Sequence, residues 1–274
     1  MRYIKPIFLA ALIAIAPAAK AWEYYSSDGY PAKSTEHSVQ LRTGADFTKK
    51  FNHGLKLHFG EDLRFDLYNT AANARFNKSY TTLSLSYSPI TYFKVDAGYT
   101  LKIMGTKDWS DVNEWMRHRV FVSATGSYKV DNWKFSLRER LMLEMRTDSV
   151  NPLEKNKNDL LLRSKLGVEY TIHTAPVKPY AWVEVVNTLN APEYQQKYKD
   201  NNSANGGHQF IKRVRTEAGV KWKLDRNNTL NFYYRFNYGY DRDINIKRKD
   251  TSVIRLTEEY SYQHAIGIAY EFGW

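Results

Sequence analysis

Basic side chains recur at every second position in several stretches of this sequence. The arginines spaced two residues apart are Arg117 with Arg119, Arg138 with Arg140, and Arg213 with Arg215. In an extended strand the two partners share one face, because successive side chains point to opposite sides. A guanidinium binds carboxylates and phosphates through two parallel hydrogen bonds. These faces therefore predict either an internal network with acids or a path for anions.

The sequence gives weaker support for catalysis. His118 is the histidine best placed to act as a base, since Arg117 and Arg119 flank it and Asp108 and Asp111 precede it. None of the seven histidines shows the H-x-x-x-H spacing of a metal site. We therefore expect His118 to belong to an arginine network. We predict no catalytic, cofactor-binding or metal-binding residues, and a protein that is not an enzyme.

Eleven segments alternate between apolar and polar residues and predict β-strands. They are 36–48, 55–68, 80–88, 93–103, 116–130, 133–146, 160–170, 179–187, 210–224, 229–240 and 260–274. In the second of them, Leu57, Phe59 and Phe65 share one face, and Arg64 and Asp66 share the other. Most segments have the length that a tilted strand needs to cross a bilayer.

The connections between these segments alternate in length. The short ones are 49–54, 89–92, 131–132, 171–178 and 225–228, and the long ones are 69–79, 104–115, 147–159, 188–209 and 241–259. Short turns at one end, long loops at the other and flanking belts of Tyr and Trp are typical of outer-membrane barrels. We therefore predict an all-β fold, a transmembrane antiparallel up-and-down β-barrel.

The direction of the last strand sets the expected number of strands. Tyr270, Phe272 and Trp274 alternate up to the C-terminus, as in the closing strand that carries the assembly signal of such barrels. With a periplasmic C-terminus, counting back makes 36–48 begin outside the cell. If residues 22–34 add one crossing, the barrel has about 12 strands, and 10 to 14 are compatible. If they pass through the lumen instead, the barrel is plugged or odd.

The N-terminus has the parts of a secretion signal. Arg2 and Lys5 precede an apolar run over 7–16, and Ala19-Lys20-Ala21 forms a cleavage site. We predict a signal peptide over 1–21 and one barrel domain over 22–274, located in the cell outer membrane. The sequence has no cysteine, which excludes disulfides and thiol chemistry.

The net charge is +11, yet export makes nucleic acid a poor partner. The expected partners are outer-membrane lipid, lipopolysaccharide, the barrel-assembly machinery and small anionic solutes. We expect a monomer without a cofactor.

Several short motifs occur in a characteristic order. They are Glu61-Asp-Leu-Arg64, Ala97-Gly-Tyr-Thr100, Arg117-His-Arg119, Arg138-Glu-Arg140, Leu162-Arg-Ser-Lys165, Pro179-Tyr-Ala-Trp-Val-Glu184 and Tyr233-Tyr-Arg235. By these motifs the chain resembles the outer-membrane barrel proteins grouped as domain of unknown function 2490. The family usually has Tyr-Arg where this chain has Tyr99-Thr100. The resemblance implies a barrel in the outer membrane and adds no activity, because the family carries no established one.

The strand phase predicts a basic lumen. The arginines expected to line it are Arg64, Arg117, Arg119, Arg138, Arg140, Arg146, Arg163, Arg213, Arg215 and Arg235. They predict a network with acids that fills the lumen, or an anion-favouring pore, and a small pore or transport-related barrel is the leading hypothesis. A structural or adhesive surface barrel that binds through its long loops is the alternative, and an enzyme at the outer rim comes third.

Two acids break the outward apolar phase. Glu61 and Glu139 stand where lipid-facing residues are expected, although bare carboxylates facing lipid are costly. Either a bulge shifts the phase there or these residues lie at a membrane edge. The sequence leaves both explanations open.

Overall fold

The computed structural model describes residues 32–69, 76–105, 116–147, 150–192, 211–247, 249 and 253–274. In this part of the chain the strands form a single closed barrel. The predicted all-β up-and-down barrel is therefore confirmed. The predicted signal peptide and residues 22–31 lie outside the described residues.

Eleven strands make up the described wall. They are β1 (Ala32–Lys50), β2 (Leu55–Asn69), β3 (Phe76–Ile90), β4 (Phe93–Met104), β5 (Met116–Val130), β6 (Trp133–Arg146), β7 (Asn158–Tyr170), β8 (Val177–Thr188), β9 (Ile211–Lys223), β10 (Asn228–Ile246) and β11 (Val253–Gly273). A single 3₁₀ turn, Asn52–Gly54, connects β1 to β2. Among the described residues no helix is long and apolar enough to cross a membrane.

A parallel pair of strands closes the barrel. Consecutive strands pair antiparallel, whereas β1 and β11 run in the same direction, from Ala32 opposite Thr257 to Thr48 opposite Gly273. An up-and-down barrel closed by one parallel pair has an odd number of strands, because its first and last strands must point the same way. This explains why the described strands number 11, close to the 12 expected and within the range of 10 to 14.

The predicted loop over 241–259 is wrong for most of its length. There β10 continues to Ile246, β11 begins at Val253, and their pairing includes Arg242 opposite Glu258. The apolar alternation stops at this level because polar pairs occupy both strands. The backbone ladder continues nonetheless, since its hydrogen bonds do not depend on side-chain polarity.

The outer surface of the wall is apolar. Leu83, Leu85, Val122, Leu137 and Ile266 are 47–61% exposed, each on the outward phase of its strand. A water-soluble protein rarely exposes a continuous apolar surface of this extent. The wall thus has the character that a hydrocarbon environment requires.

Aromatic side chains collect at the end with the short connections. Tyr87, Tyr128, Trp133, Trp222 and Trp274 are 45–58% exposed there. Phe272 packs beside Trp274 with ring centroids 5.2 Å apart, and Phe47 of β1 lies 6.5 Å from the Phe272 ring. Aromatic rings at this height are typical of a membrane interface.

The two outward glutamates are paired with hydroxyl groups. Thr81 Oγ1 donates to Glu61 Oε2 at 2.6 Å, and Ser164 Oγ donates to Glu139 Oε2 at 2.6 Å. The strand register is continuous through both glutamates, so a bulge does not explain their phase. Each carboxylate faces outward and has a hydrogen-bond partner on the neighbouring strand.

The turn between β9 and β10 is stabilised by one exposed carboxylate. Asp225 Oδ1 accepts from the backbone N–H groups of Asn227 and Asn228, at 2.7 Å and 2.8 Å. These hydrogen bonds favour the charged form and lower the pKa of Asp225. The turn thereby satisfies backbone donors that the strand ladder leaves open.

Candidate functional site: a basic lumen

Two cavities occupy the interior of the barrel. The upper cavity, toward the long connections, has a volume of about 570 Å³, and the lower cavity has a volume of about 340 Å³. Of the described residues, Arg119, Met142, Arg163 and Arg215 line both cavities. The two spaces therefore meet at a level where three arginines and one methionine face the lumen. We call these three arginines the junction arginines.

The upper cavity is strongly basic. Among its described lining residues ten are basic and three are acidic. The basic ones are Lys102, Arg117, Arg119, Arg146, Lys155, Arg163, Lys212, Arg213, Arg215 and Arg242, and the acidic ones are Glu144, Asp159 and Asp241. Such an excess of one sign within low-dielectric walls concentrates counter-ions, here anions.

Glu144 holds three of these bases on the inner faces of β4, β5 and β6. Lys102 Nζ lies 3.4 Å and Arg117 Nη1 3.2 Å from Glu144 Oε1, and Arg119 Nε donates to Glu144 Oε2 at 2.6 Å. The cross-strand register brings Lys102, Arg117 and Arg119 into reach of Glu144. The carboxylate is 4% exposed, so its charge is compensated by these cations rather than by solvent.

Glu184 on β8 forms a second cluster of the same kind. Arg163 Nη2 and Arg215 Nη1 donate to its Oε1 at 2.8 Å and 2.9 Å, and Arg138 Nη2 donates to its Oε2 at 3.0 Å. Glu184 is 1% exposed. The cluster joins β6, β7, β8 and β9 and fixes two of the junction arginines in place.

The lower cavity is nearly balanced in charge. Its described lining residues include six basic and five acidic residues, and of the acidic ones Glu61 points its carboxylate outward. Arg64 pairs with Asp62 at 2.6 Å, and Arg235 pairs with Glu217 at 2.5 Å. Glu217 Oε1 also accepts from Tyr180 Oη at 2.7 Å. Most cations of this cavity are therefore already engaged by an acid.

Arg140 differs from its neighbours in the lower cavity. In the described part of the chain it forms no ion pair, and its Nε, like that of Arg163, has no hydrogen-bond partner. Its guanidinium carbon lies 3.9 Å from the centroid of the Phe121 ring. That ring in turn covers Gly98 on β4, where a Cβ would lie 2.6 Å from Phe121 Cζ.

Amide side chains, one arginine and one aspartate form a hydrogen-bonded network on the inner wall beside the parallel seam. Arg42 Nη2 donates to Gln40 Oε1 at 3.1 Å and to Gln263 Oε1 at 2.7 Å, and Gln40 Nε2 donates to Asp66 Oδ1 at 2.8 Å. Asn237 Nδ2 also donates to Gln263 Oε1, at 2.7 Å. Gln40 and Arg42 are almost completely buried. This side of the interior is a closed network.

The extended end of β10 contacts the β6–β7 connection at the upper rim. Lys155 Nζ lies 3.0 Å from Asp243 Oδ1, and the backbone N–H of Ile246 donates to Glu154 Oε1 at 2.7 Å. Asn151 Nδ2 donates to the Ile246 carbonyl at 3.4 Å. We call these contacts the rim contacts. They link two parts of the wall that β8 and β9 separate.

Nine of the ten arginines singled out from the sequence line a cavity. Those lining the upper cavity alone are Arg117, Arg146 and Arg213, those lining the lower cavity alone are Arg64, Arg140 and Arg235, and the junction arginines line both. The tenth, Arg138, lines neither cavity and donates to Glu184. Sequence reasoning missed Arg42, although it alternates with Leu41, and Arg242, because its segment was taken for a loop.

His118 does not belong to the arginine network, and that expectation is wrong. It lies on the outward phase of β5, between the inward Arg117 and Arg119, and its Nδ1 is 2.6 Å from Tyr99 Oη. Strict alternation separates neighbours in sequence onto opposite faces. Asp108 and Asp111 lie outside the described residues. Within the described ranges, side chains of His, Asp and Glu form no group able to hold a metal ion.

The fold is an up-and-down β-barrel with an apolar outer wall, and basic residues outnumber acidic ones in the described lining of its upper cavity. The family model described as protein of unknown function (DUF2490) matches residues 39–248. The chain belongs to this family, as its motifs predicted.

Solved porin structures are similar to this chain at low identity. A NanC porin in a rhombohedral crystal form has 12% identity and a TM-score of 0.45, with 85% of this chain and 98% of that chain covered. The KdgM porin has 12% identity and a TM-score of 0.39, with 82% and 88% covered. An anion-selective porin from Comamonas acidovorans has 12% identity and a TM-score of 0.35, with 82% and 58% covered. No curated protein matches the chain.

Proposed function

We propose that this protein is a non-enzymatic outer-membrane barrel that conducts small anions through its lumen. The observation that carries the proposal is the junction: two cavities meet where Arg119, Arg163 and Arg215 line both. An anion that passes between the cavities must pass these guanidinium groups. A ring of fixed positive charge favours anions over cations at such a point.

The charge of the upper cavity supports the same function. Ten basic against three acidic side chains raise the local concentration of anions at the entrance to the junction. The acids that are present hold the bases in position rather than cancel them, since Glu144 and Glu184 each contact three cations. A structural network and an anion path are therefore two aspects of one arrangement.

The outer wall supports the location in the membrane. We propose that lipid and lipopolysaccharide surround the apolar wall and its aromatic belt, and that the barrel works as a monomer. We further propose that the barrel-assembly machinery recognises Tyr270 and Phe272 on β11 together with Trp274, which directly follows the strand. Phe272 and Trp274 pack at the short-connection end of the seam, where a terminal strand would be recognised during closure.

Planar-bilayer recording tests the proposal. Purified protein should conduct, and the reversal potential in a KCl gradient should have the sign of a chloride preference. That preference should increase when the salt is diluted, because screening of the cavity charges weakens. A barrel without conductance, or one that prefers potassium, would overturn the proposed function.

A further inference from the structure

We infer that Arg140 forms a binding subsite for one oxyanion group, a carboxylate or a phosphate, in the lower cavity. The inference deepens the proposed anion path and rests on it for its biological role. It starts from a contrast within one strand. Arg138 and Arg140 lie two residues apart on the inner face of β6, and Arg138 has an acid partner in Glu184. Among the described residues Arg140 pairs with no acid.

Three neighbouring strands build the platform beneath Arg140. Gly98 on β4 leaves room for the Phe121 ring, which is 7% exposed, and the guanidinium of Arg140 lies over that ring. The register places Gly98 opposite Phe121, and Ser123 opposite Arg140. The Phe121 ring is therefore packed between Gly98 on one side and the Arg140 guanidinium on the other.

Stacking leaves the hydrogen-bonding edge of Arg140 available. A cation over an aromatic ring uses the face of its guanidinium, whereas the N–H donors point outward in the plane. Its buried Nε has no acceptor in the described part of the chain, and the same is true of Arg138 and Arg163. Those two arginines donate to Glu184 through their terminal nitrogens, whereas Arg140 has no acid partner among the described residues. The terminal N–H donors of Arg140 are therefore open to an acceptor from outside the chain.

The nearby acids are occupied by other groups. Asp96 contacts Lys94 at 2.9 Å and accepts from Ser123 Oγ at 3.2 Å. Glu184, the other acid whose charge acts on Arg140, is shared by Arg138, Arg163 and Arg215. Neither acid forms an ion pair with Arg140, so neither occupies its terminal N–H donors.

The geometry favours oxyanions over spherical halide ions. Carboxylate and phosphate oxygens match the planar fork of an arginine and accept two parallel hydrogen bonds from it. Chloride gains the charge attraction without that match. The junction arginines border the same cavity as Arg140, so an oxyanion that dissociates from them can bind next at Arg140.

The experiment measures block of the chloride current by inorganic phosphate and, separately, by acetate. In the wild type, phosphate should reduce the current saturably. Arg140→Gln should raise the half-blocking concentration by about tenfold, which corresponds to the loss of charge-assisted hydrogen bonds. Arg140→Lys keeps the charge without the fork and should also lose most of the block. Lys134→Gln is the matched control, since it removes a charge from the inner phase of the same strand and lines neither cavity.

The possible outcomes distinguish a failure of the subsite proposal from a failure of the pore proposal. Equal block in the wild type and Arg140→Gln would overturn the subsite and leave the pore intact. If the wild type carries no current, the pore is wrong, and calorimetric titration of phosphate into the detergent-solubilised barrel then decides. Heat of binding that Arg140→Gln abolishes and Lys134→Gln retains would support the subsite. The absence of heat in the wild type, or the same heat in Arg140→Gln, would overturn it.

Discussion

The two cavities of the lumen differ in charge and in the strands that build them. The upper cavity has ten basic and three acidic lining residues, and the lower one has six basic and five acidic, of which Glu61 points its carboxylate outward. Both draw on β4–β7, β9 and β10, whereas only the upper one includes β8 and only the lower one includes β1–β3 and β11. On the proposed path, the excess charge of the upper cavity would concentrate anions, and Arg140, which has no acid partner in the described part of the chain, would select among them in the lower cavity.

The acids explain how so many cations can coexist in one interior. Like charges in a low-dielectric space repel strongly unless acids lie between them. Glu144 serves the upper cavity, and Glu184 lies at the junction level, where it holds Arg163 and Arg215. The contrast between the cavities therefore depends on a few carboxylates, and substitutions of these and of their partners test it.

The largest effect is expected from Glu184→Gln. The substitution leaves Arg138, Arg163 and Arg215 without their shared carboxylate, which is 1% exposed. Removal of one member of a buried ion pair costs about 3–5 kcal/mol. The free energy of unfolding in detergent, measured by denaturant titration of the heat-modifiable gel shift, should fall by that order.

Glu169→Gln is the matched control for this substitution. Glu169 lies 3.7 Å from Lys178 and 3.8 Å from Lys221, and its side chain is 24% exposed. Its loss should therefore change stability much less than the loss of Glu184. Equal effects of the two substitutions would show that the Glu184 cluster does not hold the junction together.

A second prediction compares the two arginines of β6. Arg138→Gln removes a 3.0 Å hydrogen bond to Glu184 and should lower the free energy of unfolding by about 1–3 kcal/mol. Arg140→Gln breaks no ion pair in the described part of the chain and removes only the contact with the Phe121 ring, so its loss should be smaller, about 1 kcal/mol or less. Equal losses in the two variants, measured by the same unfolding assay, would show that Arg140 has an acid partner of its own.

A third prediction concerns the platform under Arg140. A Cβ on Gly98 would lie 2.6 Å from Phe121 Cζ and 2.8 Å from the Leu83 carbonyl oxygen. Gly98→Ala should therefore displace the ring and cost about 1–3 kcal/mol through overpacking. Phosphate block should weaken, although less than in Arg140→Gln, because the guanidinium remains. Gly126→Ala is the control, since a Cβ there meets nothing within 4 Å.

Alternation along the strands was enough to predict the barrel and most of its inner face. Alternation alone assigns Leu57 and Phe59 to one face of β2 and Arg64 to the other. The parallel seam could not be predicted, because the pairing of β1 with β11 joins residues more than 200 positions apart. His118 was wrongly assigned to the arginine network because it is adjacent in sequence to Arg117 and Arg119. In a strand its side chain points to the opposite face from both.

The sequence also could not predict that Arg138 has an acid partner whereas Arg140 has none in the described part of the chain. The two residues have the same type, the same phase and nearly the same neighbours. What separates them is Glu184, which lies 46 residues beyond Arg138 and reaches it across the curved interior. Partners of this kind depend on the shear of the closed barrel, and local pattern contains no information about shear.

The smallest effect is expected at the rim contacts. Lys155 and Asp243 lie 3.0 Å apart, and their side chains are 46% and 31% exposed. Asp243→Asn should therefore change the free energy of unfolding by less than about 1 kcal/mol, and less still at high salt. Chloride preference should rise slightly in dilute KCl, because one negative charge leaves the mouth of a basic cavity. A large change in conductance instead would mean that this pair holds the mouth in shape, and that the upper cavity acts through a specific contact rather than through its total charge.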